Sequence, residues 1–188
     1  MANTNQTGFR PAGVAGNHIV VMRFPIDSSN GTNVFVGDVM ANNAAGSVRP
    51  AAADAGTAVI GICVGLYDSN GVRIGSPGSS VSTKYLLSST AGYADVALAL
   101  PDAIFIAQVT TSIAATALFA SADHVAGTGD TTTAVSAHEL NGATLNTEAQ
   151  CQILGIVSEP SNSWGADVKV YLRFLESMWG QVNPTAGV

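Results

Sequence analysis

The sequence predicts an all-β fold, a β-barrel or β-sandwich of short antiparallel strands with an extended N-terminal arm and long loops. Segments rich in Val, Ile and Phe recur at spacings of roughly ten residues, which is typical of sandwiches and barrels. Turn-forming residues, Asn-Gly pairs among them, separate these segments. No long segment has the apolar periodicity of an amphipathic helix. The chain is therefore expected to bury its core between layers of sheet.

Nine segments have the composition or alternation of β-strands: residues 18–26, 32–41, 58–67, 72–75, 84–87, 94–98, 104–109, 152–158 and 168–175. The last alternates most clearly, with apolar Val170, Leu172 and Phe174 at every second position, which predicts one buried face. Residues 68–71, Asp-Ser-Asn-Gly, predict a hairpin turn before the strand at 72–75, because Asn-Gly accepts the positive φ of tight turns.

The domain organisation follows from where these strands begin and end. Residues 1–16 lack periodicity and contain Gly and Pro, so they are expected to be an extended arm, with a frayed terminus as the alternative. Residues 17–176 form the predicted β domain, which includes an extended loop at 117–140, and residues 177–188 form a C-terminal tail. In that tail, Trp179 is expected to dock either on its own domain or on a neighbouring subunit.

Composition excludes several classes of function. Hydrophobic residues make up 47% of the chain, enough for a core, whereas only 11% are charged, against about 25% in typical domains. The net charge is −6 and no basic cluster occurs, so direct nucleic-acid binding is not expected. The apolar runs are too short or interrupted to span a bilayer, and the start lacks the features of a signal peptide. The expected surface is polar but weakly charged, and suits permanent protein neighbours.

The two cysteines, Cys63 and Cys151, each lie in an apolar segment. Buried free thiols are the expected state, and a disulfide between adjacent strands is the alternative.

No constellation of catalytic or metal-binding residues is evident. His18, His124 and His138 lack metal-ligand spacing, since no second histidine follows His138 at the required interval. Ser121, Asp123 and His124 contain the residue types of a hydrolase triad but lack its sharp turn. The sequence therefore predicts no catalytic residue, no metal ligand and no cofactor.

The segment 117–140 is long, polar and short of charge. Within it, Gly127-Thr128-Gly129 lacks the lysine of a phosphate-binding loop, and Asp130 precedes Thr131, Thr132 and Thr133. Connections this long are uncommon unless they are functional. We expect this segment to form a contact surface.

Several motifs, in order along the chain, resemble those of a family of tailed-phage head proteins. The opening MANTNQTGFRPAG is similar to the family's MANTN-x-P-F-G-F-R-P start, and Gly37-Asp38 to its G-D-x-V step. Residues 59–71 resemble its V-x-G-x-F-x-G-x-x-Y hairpin, and LPDAIFIAQ at 100–108 resembles its D-P-x-x-x-F-x-x-Q strand.

The segment 117–140 resembles the family most specifically. The similar residues are Ala122-Asp123, VAGTGD at 125–130, the three threonines that follow, and Glu139-Leu140. Residues 153–157 are similar to the family's R-I-L-G-L-V strand, although Gln152 stands where the family often has arginine.

The family comprises capsid decoration, or cement, proteins. The resemblance implies a structural virion protein, made in the host bacterial cytoplasm, that binds the capsid exterior and stabilises the expanded head. Its implied partners are the major capsid protein and further copies of itself, in a trimer or a dimer. The candidate interface residues are Phe9, Arg10, Pro11, Thr128, Thr131, Thr132, Thr133 and Trp179. The alternative is a carbohydrate-binding or tail-associated β-module, with Tyr67, Tyr93 and Trp164 as a stacking platform.

Overall fold

A computed structural model describes residues 7–43, 46–53, 58–146 and 150–179. These residues form twelve β-strands and one 3₁₀ turn, η1 (Ala115–Ala117), and no α-helix, so the all-β prediction is confirmed. The strands are β1 (Arg10–Pro11), β2 (Val21–Ile26), β3 (Val39–Asn43), β4 (Ser47–Pro50), β5 (Val59–Asp68), β6 (Gly92–Leu98), β7 (Phe105–Gln108), β8 (Ser121–Ala122), β9 (His124–Ala126), β10 (His138–Leu140), β11 (Cys151–Ile156) and β12 (Lys169–Phe174). No helical segment in these ranges has the length and hydropathy that crossing a bilayer requires.

The strands form two five-stranded antiparallel sheets and a two-stranded ribbon. The first sheet has the order β1-β7-β12-β11-β8, and the second has the order β2-β6-β5-β3-β4. β9 and β10 form the ribbon. Within the described residues neither strand order closes into a ring of hydrogen-bonded strands, although β2 and β4, the end strands of the second sheet, approach each other.

The two sheets share one hydrophobic core. In β12, Val170, Leu172 and Phe174 are buried, as their alternation predicts, and they pack with residues of the second sheet such as Val59 and Ile62. The Phe174 ring lies 5.5 Å from the Phe105 ring, in an edge-on arrangement that aromatic pairs favour.

The outer face of the second sheet has its own core, which two loop segments cover. Val34, from the connection between β2 and β3, pairs with Leu86, from the connection between β5 and β6. Both side chains are buried against sheet residues such as Met40 and Val96. The second sheet is therefore buried on both faces.

The structure differs from the sequence prediction at residues 32–41, where only the last part is a strand. Gly37 has φ +101°, which an L side chain rarely adopts, and it turns the chain just before β3. The Asp38 carboxylate accepts a hydrogen bond from the Phe35 amide at 2.8 Å and closes this turn. A side-chain hydrogen bond thus replaces the backbone ladder that the apolar composition predicted.

The predicted return strand at 72–75 is also absent, although the turn at 68–71 is present. Asp68 accepts hydrogen bonds from the amides of Asn70 (3.0 Å), Val72 (2.9 Å) and Ser80 (2.7 Å). These bonds lower the pKa of Asp68 to about 2, with the Ser80 amide as the largest cause. Because this one carboxylate organises the loop, the chain pairs with β5 only at a bridge between Tyr67 and Arg73.

The described part of the predicted N-terminal arm is integrated into the domain. β1 pairs with β7, and the Phe9 side chain is only 1% exposed, with its ring 5.9 Å from that of Phe174. Residues 1–6 of the arm and 180–188 of the tail lie outside the described residues. Ala12 is also buried, and the amides of Phe9 and Ala12 donate to the carbonyl oxygens of Gly37 and Ile104, each at 2.9 Å. Apolar burial and backbone hydrogen bonds together anchor this segment.

The segment 117–140 is folded rather than extended. It contains β8, β9 and β10, and its Ala122, His124 and Leu140 side chains are buried. Exposed residues are concentrated in the turn between β9 and β10. The prediction of one long loop therefore requires correction, since small buried side chains let this low-charge segment pack against both sheets.

Replacing Phe9 with alanine is expected to lower the free energy of unfolding by about 3–5 kcal/mol, because it leaves a cavity beside Phe174. Urea unfolding of the purified chain measures this loss. The matched control is Phe119→Ala, which truncates an exposed ring and should change stability by less than about 0.5 kcal/mol. Equal losses in the two variants would contradict the burial of Phe9.

Candidate functional site

A buried polar cluster joins the β9–β10 ribbon to the second sheet. Its members are Asp38, at the start of β3, Ser136 and His138 at the start of β10, and His124 in β9, all of which are buried. Polar groups at this depth must be hydrogen-bonded to be tolerated. The cluster is therefore a candidate functional site.

Asp38 is 2% exposed, and burial raises the pKa of its carboxyl to about 7. Hydrogen bonds from the Phe35 amide and the Ser136 side chain act in the opposite direction and are smaller in effect. Asp38 thus exchanges its proton near neutral pH, unlike an exposed carboxylate.

His138 is held neutral in one tautomer. Its Nδ1 accepts a hydrogen bond from the Val39 amide at 3.2 Å, which assigns the ring hydrogen to Nε2. Nε2 lies 3.8 Å from Oδ1 of Asp38. Burial, together with the neighbouring His124, lowers the pKa of His138 to about 3.

His124 stacks on His138, with ring centroids 5.5 Å apart and planes at 17°. Oε1 of Gln150 accepts a hydrogen bond from the His124 amide at 3.1 Å and lies 2.8 Å from Nδ1 of the His124 ring. Burial lowers the pKa of His124, more than the Gln150 contact raises it.

This arrangement ties strands together and does not form a hydrolytic relay. A triad needs a histidine that receives the serine proton at one nitrogen and donates to a carboxylate from the other. His138 Nδ1 instead accepts a backbone hydrogen, and the Ser136 hydroxyl accepts from the His138 amide at 3.1 Å. Among the described residues, no group of three or more His, Cys, Asp or Glu side chains is arranged to hold a metal ion.

The cluster forms part of the wall of a cleft of about 700 Å³. Asp38 and His138 line it, together with the loop at 29–33, the end of β4 and the segment 126–129. A Cβ atom on Gly129 would lie 2.4 Å from the Phe35 ring, so only glycine permits this close approach. The volume is within the usual range for binding pockets.

The candidate interface residues lie in three separate places. Phe9 is in the core, while Arg10 and Pro11 are in β1, where Arg10 forms a 3.0 Å ion pair with Glu159. The Trp179 indole donates to the carbonyl oxygen of Ile60 at 2.7 Å and remains 37% exposed, so this side chain docks on its own domain.

The four threonines lie together at the exposed turn between β9 and β10. All four side chains are exposed: Thr128, Thr131, Thr132 and Thr133. Asp130 accepts from the Thr132 amide at 2.8 Å and from the Thr133 hydroxyl at 2.6 Å, and these bonds, the Thr133 one foremost, lower its pKa. The turn therefore presents threonine hydroxyl groups around one ionised carboxylate, that of Asp130.

Exposed apolar side chains are a feature that sequence reasoning missed. Val21 and Met22 are exposed on β2, an edge strand, and Leu118 and Phe119 are exposed beside η1. Phe119 is 65% exposed and has φ +65°, an unusual conformation for a bulky residue. Its amide donates to the carbonyl oxygen of Ile153 at 2.9 Å, which holds the ring outward. No sequence signal separates these residues from core positions, because exposure depends on tertiary packing.

The three aromatic residues of the carbohydrate hypothesis do not share one open surface. Tyr67 and Tyr93 are paired across β5 and β6, but the Arg23 guanidinium lies 3.6 Å from the Tyr67 ring centre and covers it. Trp164 packs against the core between the sheets.

Cys63 and Cys151 are buried free thiols, and burial raises the pKa of each.

Comparison of the chain with protein-family models, with curated proteins and with solved structures found no match.

The shifted pKa values of His138 and Asp38 give opposite pH dependences. His138 has a folded pKa of about 3, below its usual 6.5, so its contribution to stability is complete above 6.5 and is lost as the pH falls. Asp38 has a folded pKa of about 7, above its usual 3.8, so its contribution is complete below 3.8 and is lost as the pH rises. Between these usual values the two effects offset each other.

Asp38→Asn removes the carboxyl whose titration offsets that of His138. The variant is therefore expected to show the pH dependence of stability that His138 causes. As the pH drops from 6.5 to 4, the free energy of unfolding of this variant should fall more steeply than that of the unmodified chain. The difference in slope should reach up to about 1.4 kcal/mol per pH unit. Asparagine still offers an oxygen to the Phe35 amide, which limits other damage. Urea titrations across this range measure the slope, with exposed Asp102→Asn as the control. Parallel profiles for Asp38→Asn and the unmodified chain would contradict the shifted pKa values.

Proposed function

We propose that this chain is a capsid decoration protein that binds the outer surface of a bacteriophage head and stabilises its expanded state by bridging major capsid protein subunits. The single observation that carries the proposal is the set of outward-facing apolar side chains, above all Phe119 with its fixed positive φ. Large apolar groups on a rigid backbone are typical of protein–protein contacts. The ordered resemblance to phage head proteins supplies the class of partner.

The weakly charged surface supports the same proposal. The chain has seven Lys and Arg and thirteen Asp and Glu among 188 residues, so a large area can be covered without desolvating many ions. The net charge of −6 suits the outside of a head better than its DNA-facing side. The exposed threonine tip adds hydroxyl groups that bond a partner at low desolvation cost.

The mechanism would be linkage between binding and shell expansion. A protein that binds only the expanded shell stabilises that shell by mass action. Copies that assemble as a trimer or a dimer would multiply weak individual contacts, because later attachments become intramolecular. No bond is made or broken in this process, and the protein acts at the virion exterior after synthesis in the host cytoplasm.

Phe119→Ser is expected to weaken binding to expanded heads, purified without this protein, by at least about tenfold, since a central aromatic contact contributes on the order of 1–3 kcal/mol. Co-sedimentation with increasing protein concentration measures the affinity. Leu87→Ser removes another exposed apolar side chain, outside the segment 117–140, and serves as the matched control. If Phe119→Ser binds like the unmodified chain, this surface is not the interface. If the unmodified chain fails to sediment with heads, the decoration function itself is rejected.

A further inference from the structure

Two strand edges border the 700 Å³ cleft from opposite sides. One is the segment 126–129 at the end of β9, and the other is the segment 49–52 at the end of β4. β4 is an edge strand of the second sheet, and within the described part of the chain β9 forms a ladder only with β10. A cleft between strand edges offers backbone hydrogen-bonding groups as well as side chains.

The register of β9 directs backbone groups of Ala126 into the cleft. The Gly127 amide donates to the carbonyl oxygen of Ala137, and the Asn141 amide donates to that of Asp123. In an antiparallel ladder the residues between such bonded positions point their N–H and C=O groups the other way. Ala126 lies opposite His138 but exchanges no backbone hydrogen bonds with it. The N–H and C=O groups of Ala126 therefore point into the cleft.

The register of β4 has the same consequence on the opposite side. The Ala51 amide donates to the carbonyl oxygen of Val39, and Arg49 is paired with Ala41, so the Ala51 N–H and the backbone groups of Arg49 point toward β3. Pro50 and Ala52 point away from β3, and proline contributes only a carbonyl oxygen. This edge is thus a poorer template for a new strand than that of β9.

One exposed cation, Arg49, lines the cleft, and it forms no ion pair with any residue that the structure describes. The other walls include the buried side chains of Asp38 and His138. The remaining polar side chains, such as Thr32 and Asn33, are uncharged. The chemistry therefore suits an extended peptide backbone with an acidic side chain opposite Arg49.

We propose that this cleft receives an extended, acidic segment of the capsid subunit, which adds a strand to the open edge of β9 and pairs its carboxylate with Arg49. The inference rests on the proposed decoration function and specifies how the partner is held. Strand addition gives affinity through main-chain hydrogen bonds, and the flanking side chains select the sequence. A competing site is the edge strand β2, on which Val21 and Met22 are exposed.

Ala126→Pro and Arg49→Gln test the two parts of this proposal. Proline removes the N–H that faces the cleft and leaves the amides that bond β10, so Ala126→Pro should weaken binding to expanded heads at least tenfold. Arg49→Gln should weaken binding and flatten its dependence on salt concentration, because the lost contact is an ion pair. Lys84→Gln removes an exposed positive charge outside the cleft and should bind like the unmodified chain.

Hydrogen exchange of the full chain, free and bound to heads, locates the contact independently of these variants. Binding should slow exchange of the Ala126 and Thr128 amides. Slowed exchange confined to β2, or unchanged affinity and salt dependence in Arg49→Gln, would overturn the cleft proposal while the decoration function stands. Should Ala126→Pro fold poorly, Arg49→Gln and the exchange data still decide. Failure of the unmodified chain to bind heads would reject both proposals.

Discussion

The rest of the structure depends on the apolar contact between the two five-stranded sheets. The Phe174 ring stacks on that of Phe9 and meets that of Phe105 edge-on within it, and each buried ring contributes about 1.5–3 kcal/mol. Many other members are alanines, such as Ala97 and Ala107. Small side chains from both sheets fill the space between the rings, so the core needs the N-terminal Phe9 to be complete. That requirement brings β1 to the edge of the first sheet.

A buried polar link fixes how the β9–β10 ribbon sits on this framework. The Val39 amide and the Asp38 carboxylate both contact His138, so the start of β3 and the ribbon share one hydrogen-bonded unit. Buried polar contacts are costly when incomplete, and they therefore favour one arrangement over near alternatives. By fixing the ribbon, the link holds the exposed threonine turn and one edge of the cleft in place.

Several residues that carry the resemblance to phage head proteins have structural roles. Phe9 fills the core, Gly37 and Asp38 form the turn before β3, and Asp68 organises the loop after β5. These positions are therefore ones that the fold requires. The surfaces that support the proposed function lie elsewhere on the molecule: the exposed Phe119, the open edge of β9 and the threonine turn, the last of which also belongs to the most specific motif. This division is expected, because binding surfaces are placed on loops and edges by a rigid scaffold.

The sequence by itself determined the all-β class and most of the longer strands, because alternation such as that of β12 reports directly which face is buried. It also identified the segment 117–140 as polar and short of charge. Only the tertiary structure decided that 117–140 folds into short strands, that Phe9 is core while Phe119 is surface, and that His124 and His138 stack beside Asp38. The physical reason is range: local patterns record the contacts of neighbouring residues, whereas burial, pKa shifts and open strand edges depend on residues brought together from distant parts of the chain.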